Sequence, residues 1–184
     1  MIETAVQLMR ERGVEATSFA EVLAASEAPR GSIYHHFPDG KAQLIEEATR
    51  WAGQFIAGGE RAALREGPVA AVRLLAAYWR SVLRDSDFLA GCPIVAVTVE
   101  GELRPAAREA AGDVFDEWEA LFARALRDEG VAPRRARSLA TMVIASVEGG
   151  VILARAQRSL TPFNRVAAEL EALVAAALEH ASSP

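Results

Sequence analysis

The stretch Ala28-Pro-Arg-Gly-Ser-Ile-Tyr-His-His-Phe-Pro-Asp-Gly-Lys41 decides how the rest of the chain is read. Pro29 suits the first turn of a helix, where a missing N–H costs nothing. Ile33 is the residue placed to face a core, Phe37-Pro38-Asp39-Gly40 stops the helix, and Lys41 opens the next one. Arg30, Gly31 and Ser32, on the leading edge, are small or hydrogen-bonding. A helix that enters a DNA major groove needs such residues where it meets base edges, and donors to phosphate at its margins. Tyr34, His35 and Lys41 are placed to supply those donors, with the hydroxyls of Thr17 and Ser18 upstream.

Working back from this stretch, Ile2, Ala5, Val6 and Met9 recur at helical spacing, and Gly13 ends that helix in the manner of a C-terminal glycine. Ser18 and Glu21 stand at capping-box spacing and open a second helix, with Phe19, Val22 and Leu23 inward and an end near Ala25. Ser26-Glu27-Ala28 forms the turn. Three helices of about 12, 8 and 7 residues, the last two joined tightly, spell helix-turn-helix.

Working forward, a connecting helix is expected from Lys41 to about Glu66, and further helices at Val69 to Arg84, Pro93 to about Gly101, Pro105 to Gly130, Pro133 to about Ser159, and Pro162 to the polar tail at Ser182. Proline recurs at helix starts and glycine at helix ends, which marks the boundaries well. Strand signals are absent. The expectation is an all-α chain of nine helices.

Bulk properties bound the function. The formal charge is −5, and the first fifty residues carry Arg10, Arg12, Arg30, Lys41 and Arg50 against eight acids. That balance counts against phosphate affinity, although only the face presented to the duplex matters. Cys92 is the single cysteine, so neither an intrachain disulfide nor a cysteine-based metal site is available, in keeping with a reducing cytosol. His35 and His36 point about 100° apart on a helix and have no third ligand nearby, so no metal is expected. No apolar run approaches the roughly 20 residues that span a bilayer. Ser138 to Leu153, with Glu148 and two glycines, reads as a buried helix. No nucleotide loop, metal-ligand spacing or activated nucleophile is found, so neither an enzyme nor a cofactor is expected. The expected setting is cytoplasmic, with no membrane partner.

Residues 2–48 resemble the DNA-binding head of the TetR family of bacterial repressors, through Gly13, Thr17-Ser18, Gly31, Tyr34, Phe37, Lys41 and Leu44. The string from Ala28 to Pro38, the Gly-Lys after it, and Gly91-Cys92-Pro93 with Glu100 are most similar to the LmrA/YxaF-type branch. The resemblance implies that Thr17, Tyr34 and Lys41 contact phosphates, and that Arg30, Gly31, Ser32 and His35 lie at or near the groove. With Ser18 and Pro29 these complete the DNA-facing set. Two departures stand out. Glu27 occupies a turn position where the family usually has glycine, and no basic arm precedes the first helix. Both predict weaker contact with DNA.

The division expected is a helix-turn-helix domain at 1–48 and an effector-binding and dimerisation domain at 49–184. Effector pockets are mostly apolar with few polar anchors. Trp51, Phe55, Trp79, Phe88, Trp118, Phe122 and Met142 are the candidate lining, and Cys92, Thr98 and Glu148 the polar candidates. The resemblance implies a flavonoid-like or drug-like aromatic effector. Phe163, Val166, Leu170 and Leu173 form a seam at 3-4 spacing, and Gly149-Gly150 with Leu153 permits close approach of another helix. The resemblance implies that these last two helices make the four-helix interface of a homodimer. The expected function is a homodimeric, ligand-responsive repressor that binds a palindromic double-stranded DNA operator and is released by a small hydrophobic or aromatic effector. A helical small-molecule-binding protein with weak or lost DNA binding is the alternative, favoured by Glu27 and the acidic head.

Overall fold

The computed structural model describes residues 1–26, 28–29, 31–100 and 105–181. Among these residues it is built of nine helices: α1 Ile2–Arg12, α2 Phe19–Ser26, α3 Ser32–His36, α4 Lys41–Leu64, α5 Pro68–Asp85, α6 Pro93–Glu100, α7 Pro105–Asp128, α8 Pro133–Gln157 and α9 Thr161–Ala181. The boundaries follow the proline and glycine punctuation. Gly13, Gly67 and Gly130 all adopt positive φ at helix junctions, which only glycine does without steric cost. Pro68 and Pro133 stand in the first turns of α5 and α8. The expected C-terminal limit of α6 at Gly101 and the tail from Ser182 lie outside the described residues.

The chain forms two compact units, Met1–Phe55 with Leu89–Val114, and Ile56–Phe88 with Phe115–Pro184. This differs from a division at residue 48, because the first unit recruits α6 and the start of α7. In that unit α1 packs on both α2 and α6. Ala5, Leu8, Met9, Val22, Ile33, Leu44, Ile45, Ile94 and Val97 form its buried core. Gly53 of α4 lies so close to Val114 that a Cβ there would collide with the valine methyls.

The second unit is a packed triangle of α5, α8 and α9. Leu139, Val143, Val147 and Val151 from α8 meet Phe163, Leu170 and Val174 from α9, with Val72, Ala76, Trp79 and Leu83 from α5 also buried. The two glycines of α8 divide their roles. A Cβ on Gly150 would stand 3.1 Å from Phe163 and 3.5 Å from Val166, whereas one on Gly149 would meet nothing within 4 Å. The close helix approach that the glycine pair predicts is therefore made inside the protomer, at Gly150.

Two sequence expectations are corrected here. Phe163 and Leu170 of α9 and Gly150 of α8 are buried within the protomer, so this part of the expected interface serves the core, while Val166 and Leu173 of the same seam are half-buried. And α8 is, by length and composition, apolar enough to cross a membrane, its most apolar 18-residue window having mean hydropathy 1.6. Its composition has a different cause. One face packs on α5 and α9, while Met142, Ile152 and Leu153 stand exposed on the other.

Candidate nucleic-acid interface

The helix-turn-helix is assembled from local signals. Ser18 caps α2 through its hydroxyl, which accepts from the Glu21 N–H at 3.2 Å, and the Glu21 carboxylate accepts from the Ser18 N–H at 3.3 Å. This is the reciprocal box expected from the spacing. Ile33 anchors α3 in the core, and Phe37 is buried against Phe19. Tyr34 behaves differently. It packs edge-on against Phe19 but remains 67% exposed, so most of its ring, and not only its hydroxyl, faces outward. His35 and Gly31 are exposed beside it. A short recognition helix thus turns one isoleucine inward and presents small and polar groups outward.

Two expected contacts are revised. Thr17 is wholly buried and its hydroxyl donates to the Gly13 carbonyl at 2.8 Å, so it secures the end of α1 and cannot reach a phosphate. Pro29 lies before α3, not in its first turn. Its carbonyl accepts from both the Ser32 N–H at 2.9 Å and the Ser32 hydroxyl at 2.7 Å. The helix accordingly begins at Ser32 and spans five residues. Arg30 and Glu27 lie outside the described residues. Lys41, at the start of α4, reaches back to the α1–α2 connection and donates to the Glu15 carbonyl at 2.8 Å.

The candidate effector residues separate by burial. In the first unit, Trp51 and Phe55 stack with rings 9° from parallel and Phe55 exposed. Cys92 is buried, while exposed Thr98 donates to the Ile94 carbonyl at 2.9 Å. In the second unit, Trp79, Trp118 and Phe122 are buried, Phe88 and Glu148 are half-buried, and Met142 is exposed on the outer face of α8. Phe88 and Asp87 both adopt positive φ at the end of α5, and Asp87 pairs with Arg158, itself at positive φ beyond α8.

One titratable group of this unit was not singled out from sequence. Burial pushes the Glu60 carboxyl from 4.5 up to about 8, with Arg61 pulling it down and Glu117 pushing it further up. Arg61 is itself engaged by Glu117. The signal was present in the pattern, since Glu60 follows the buried Ala57 by three residues on α4. The folded chain holds the Glu60 proton at pH values where the unfolded chain has released it, so stability falls as pH rises from about 4.5 to about 8. Glu60→Gln flattens that slope. In urea denaturation at pH 5 and pH 9, the wild type loses on the order of 2 kcal/mol that the variant keeps, allowing for partial exposure.

An all-helical chain led by a three-helix head whose third helix turns its polar side outward is the architecture of a DNA-binding transcriptional regulator. Residues 1–48 match the family model for bacterial regulatory proteins of the tetR family, and residues 68–169 match that for the C-terminal domain of LmrA/YxaF-like transcriptional regulators. The chain belongs to the TetR family of transcriptional regulators. It is 40% identical to an HTH-type transcriptional regulator of Mycobacterium tuberculosis over 99% of its own length and 96% of that protein's. It is 31% identical to the regulator YxaF of Bacillus subtilis, covering 95% and 93% of the two chains. Among solved structures, a TetR regulator from Legionella pneumophila superposes with a TM-score of 0.82 at 20% identity, covering 94% of each chain, which bears on the fold alone. Regulators of this family bind DNA, are typically dimers and are not enzymes.

Proposed function

We propose that this protein is a homodimeric repressor that binds a palindromic operator and leaves it when a small hydrophobic or aromatic molecule occupies the helical body. The observation that carries the reading is the outward set of α3 and the turn before it: exposed Gly31, Tyr34 and His35 on a helix anchored from behind by Ile33. Lys41 and Tyr34 are the phosphate contacts in this reading. Arg30, Gly31, Ser32 and His35 meet the groove. Two such helices enter successive major grooves roughly 34–36 Å apart, which requires a dimer.

The uncovered face of α8 supports that dimer. Met142, Gly149, Ile152 and Leu153 share one side of the helix, and Met142, Ile152 and Leu153 are each about half exposed. A contiguous apolar strip of this kind marks an interaction surface. A relative from Mycobacterium sp., 27% identical, is named as the transcriptional repressor DhaR, which favours repression over activation here. Trp79, Trp118 and Phe122 give the second unit the aromatic interior that suits an apolar effector. The setting proposed is the cytoplasm. Fluorescence polarisation with duplexes from the DNA flanking the protein's own gene tests the reading. Saturable, sequence-selective binding that weakens with salt is expected, and its absence at low salt in the full chain overturns the reading.

A further inference from the structure

One residue of α6 reaches the head without belonging to any surface assigned above. Glu100, the last residue of α6, accepts a hydrogen bond at 2.9 Å from the backbone N–H of Glu15, in the connection between α1 and α2. Its other oxygen fills the space beside Gly13, where a Cβ would collide with it. The carbonyl of the same Glu15 accepts from the Lys41 ammonium at 2.8 Å, and the Glu15 carboxylate stands 4.0 Å from that ammonium. Both main-chain polar groups of Glu15 are thus engaged by side chains, one from α6 and one from α4. α6 has a second attachment just before its other end. Gly91 N–H donates to the Arg10 carbonyl at 2.8 Å, and Arg10 Nε donates to the Gly91 carbonyl at 3.2 Å.

We propose that Glu100 is a positioning residue for DNA binding: by fixing the main chain at Glu15 it holds the Lys41 ammonium where it meets a phosphate. The inference rests on the reading of Lys41 as a phosphate contact. Its physical basis is the lysine stem. A flexible four-carbon chain ends in a compact charge, and a ligand gains most from it when its position is set before binding. The Glu15 carbonyl sets that position, and Glu100 sets the carbonyl. Thr17, whose hydroxyl closes the same connection on Gly13, keeps the segment short enough for the effect to be transmitted.

The test uses the full chain with Glu100→Ala, Glu100→Asp and Glu100→Gln, each also in a Lys41→Met background, and operator duplex titrated across a salt series. Glu100→Ala is expected to weaken binding about tenfold, and to lower the slope of log affinity against log salt by up to about 0.9, the share of one phosphate. Glu100→Asp, whose carboxylate falls short by one methylene, behaves in the same way and carries the test if the alanine variant does not fold. Glu100→Gln, which keeps an acceptor oxygen, retains most of the affinity. In the Lys41→Met background none of these changes has a further effect. Amide exchange at Glu15, followed by NMR without DNA, accelerates in the alanine variant and not in the glutamine one. An equal loss with and without Lys41, or an unchanged salt slope, overturns the proposal while leaving the DNA reading intact. Wild-type binding that is indifferent to Lys41→Met overturns Lys41 as a phosphate contact, and the proposal with it.

Discussion

With Ile152 and Leu153 both replaced by glutamate, the protein runs as a monomer and its operator affinity falls by about 10²–10⁴, the advantage that tethering two heads confers. Both side chains are about half exposed in the protomer, so the change leaves the core of the second unit intact. The heads are untouched, since neither residue belongs to the first unit. The loss comes from placing two carboxylates per subunit on an apolar face that the proposed dimer buries. Light scattering after gel filtration reads the mass, circular dichroism confirms unchanged helix content, and polarisation reads the affinity. A variant that stays dimeric removes this face of α8 from the interface.

Phe163→Ala acts on a different quantity. The ring is almost fully buried and lies against Gly150 of α8, where an added Cβ would stand 3.1 Å away. Removing it leaves a cavity that the glycine cannot fill, and the expected cost is about 3–5 kcal/mol of unfolding free energy. Because the contact lies within the protomer, the same loss appears in the monomeric Ile152→Glu, Leu153→Glu background. Urea denaturation of the two pairs of proteins checks this. A loss confined to the dimeric background would return Phe163 to the subunit interface.

Most of the architecture was legible because helix ends are local. Gly13, the Ser18–Glu21 box, Pro68, Pro93, Pro105 and Pro133 each fix a boundary through backbone chemistry that needs no tertiary partner. Facing was less legible where two apolar sides compete. The middle of α8 is apolar on more than one side, so its pattern could not separate the side that meets α9 from the side left uncovered, and Phe163 and Leu170 of α9 were read as partner contacts when they are buried in the protomer. Hydroxyl direction was likewise hidden. Thr17 and Ser18 look alike in sequence, yet one is enclosed against Gly13 and the other caps α2. The link from Glu100 to Glu15 spans 85 positions, and no periodicity reports a contact of that separation. Glu60 was readable in principle, as an acid on an apolar stripe, but its raised pKa depends on what encloses it.

The first unit is discontinuous along the chain, and that bears on how the protein is made. Arg10 and Glu15 emerge from the ribosome early, but the Gly91 and Glu100 groups that engage them are synthesised only when about half of the chain has been made. Domains generally mature as units during synthesis, so the DNA-reading head is completed late, once α6 has been delivered to α1. A fragment ending at residue 48 lacks those partners. A head grafted onto another regulator's body keeps its own setting only if the segment from Leu89 to Glu100 travels with it.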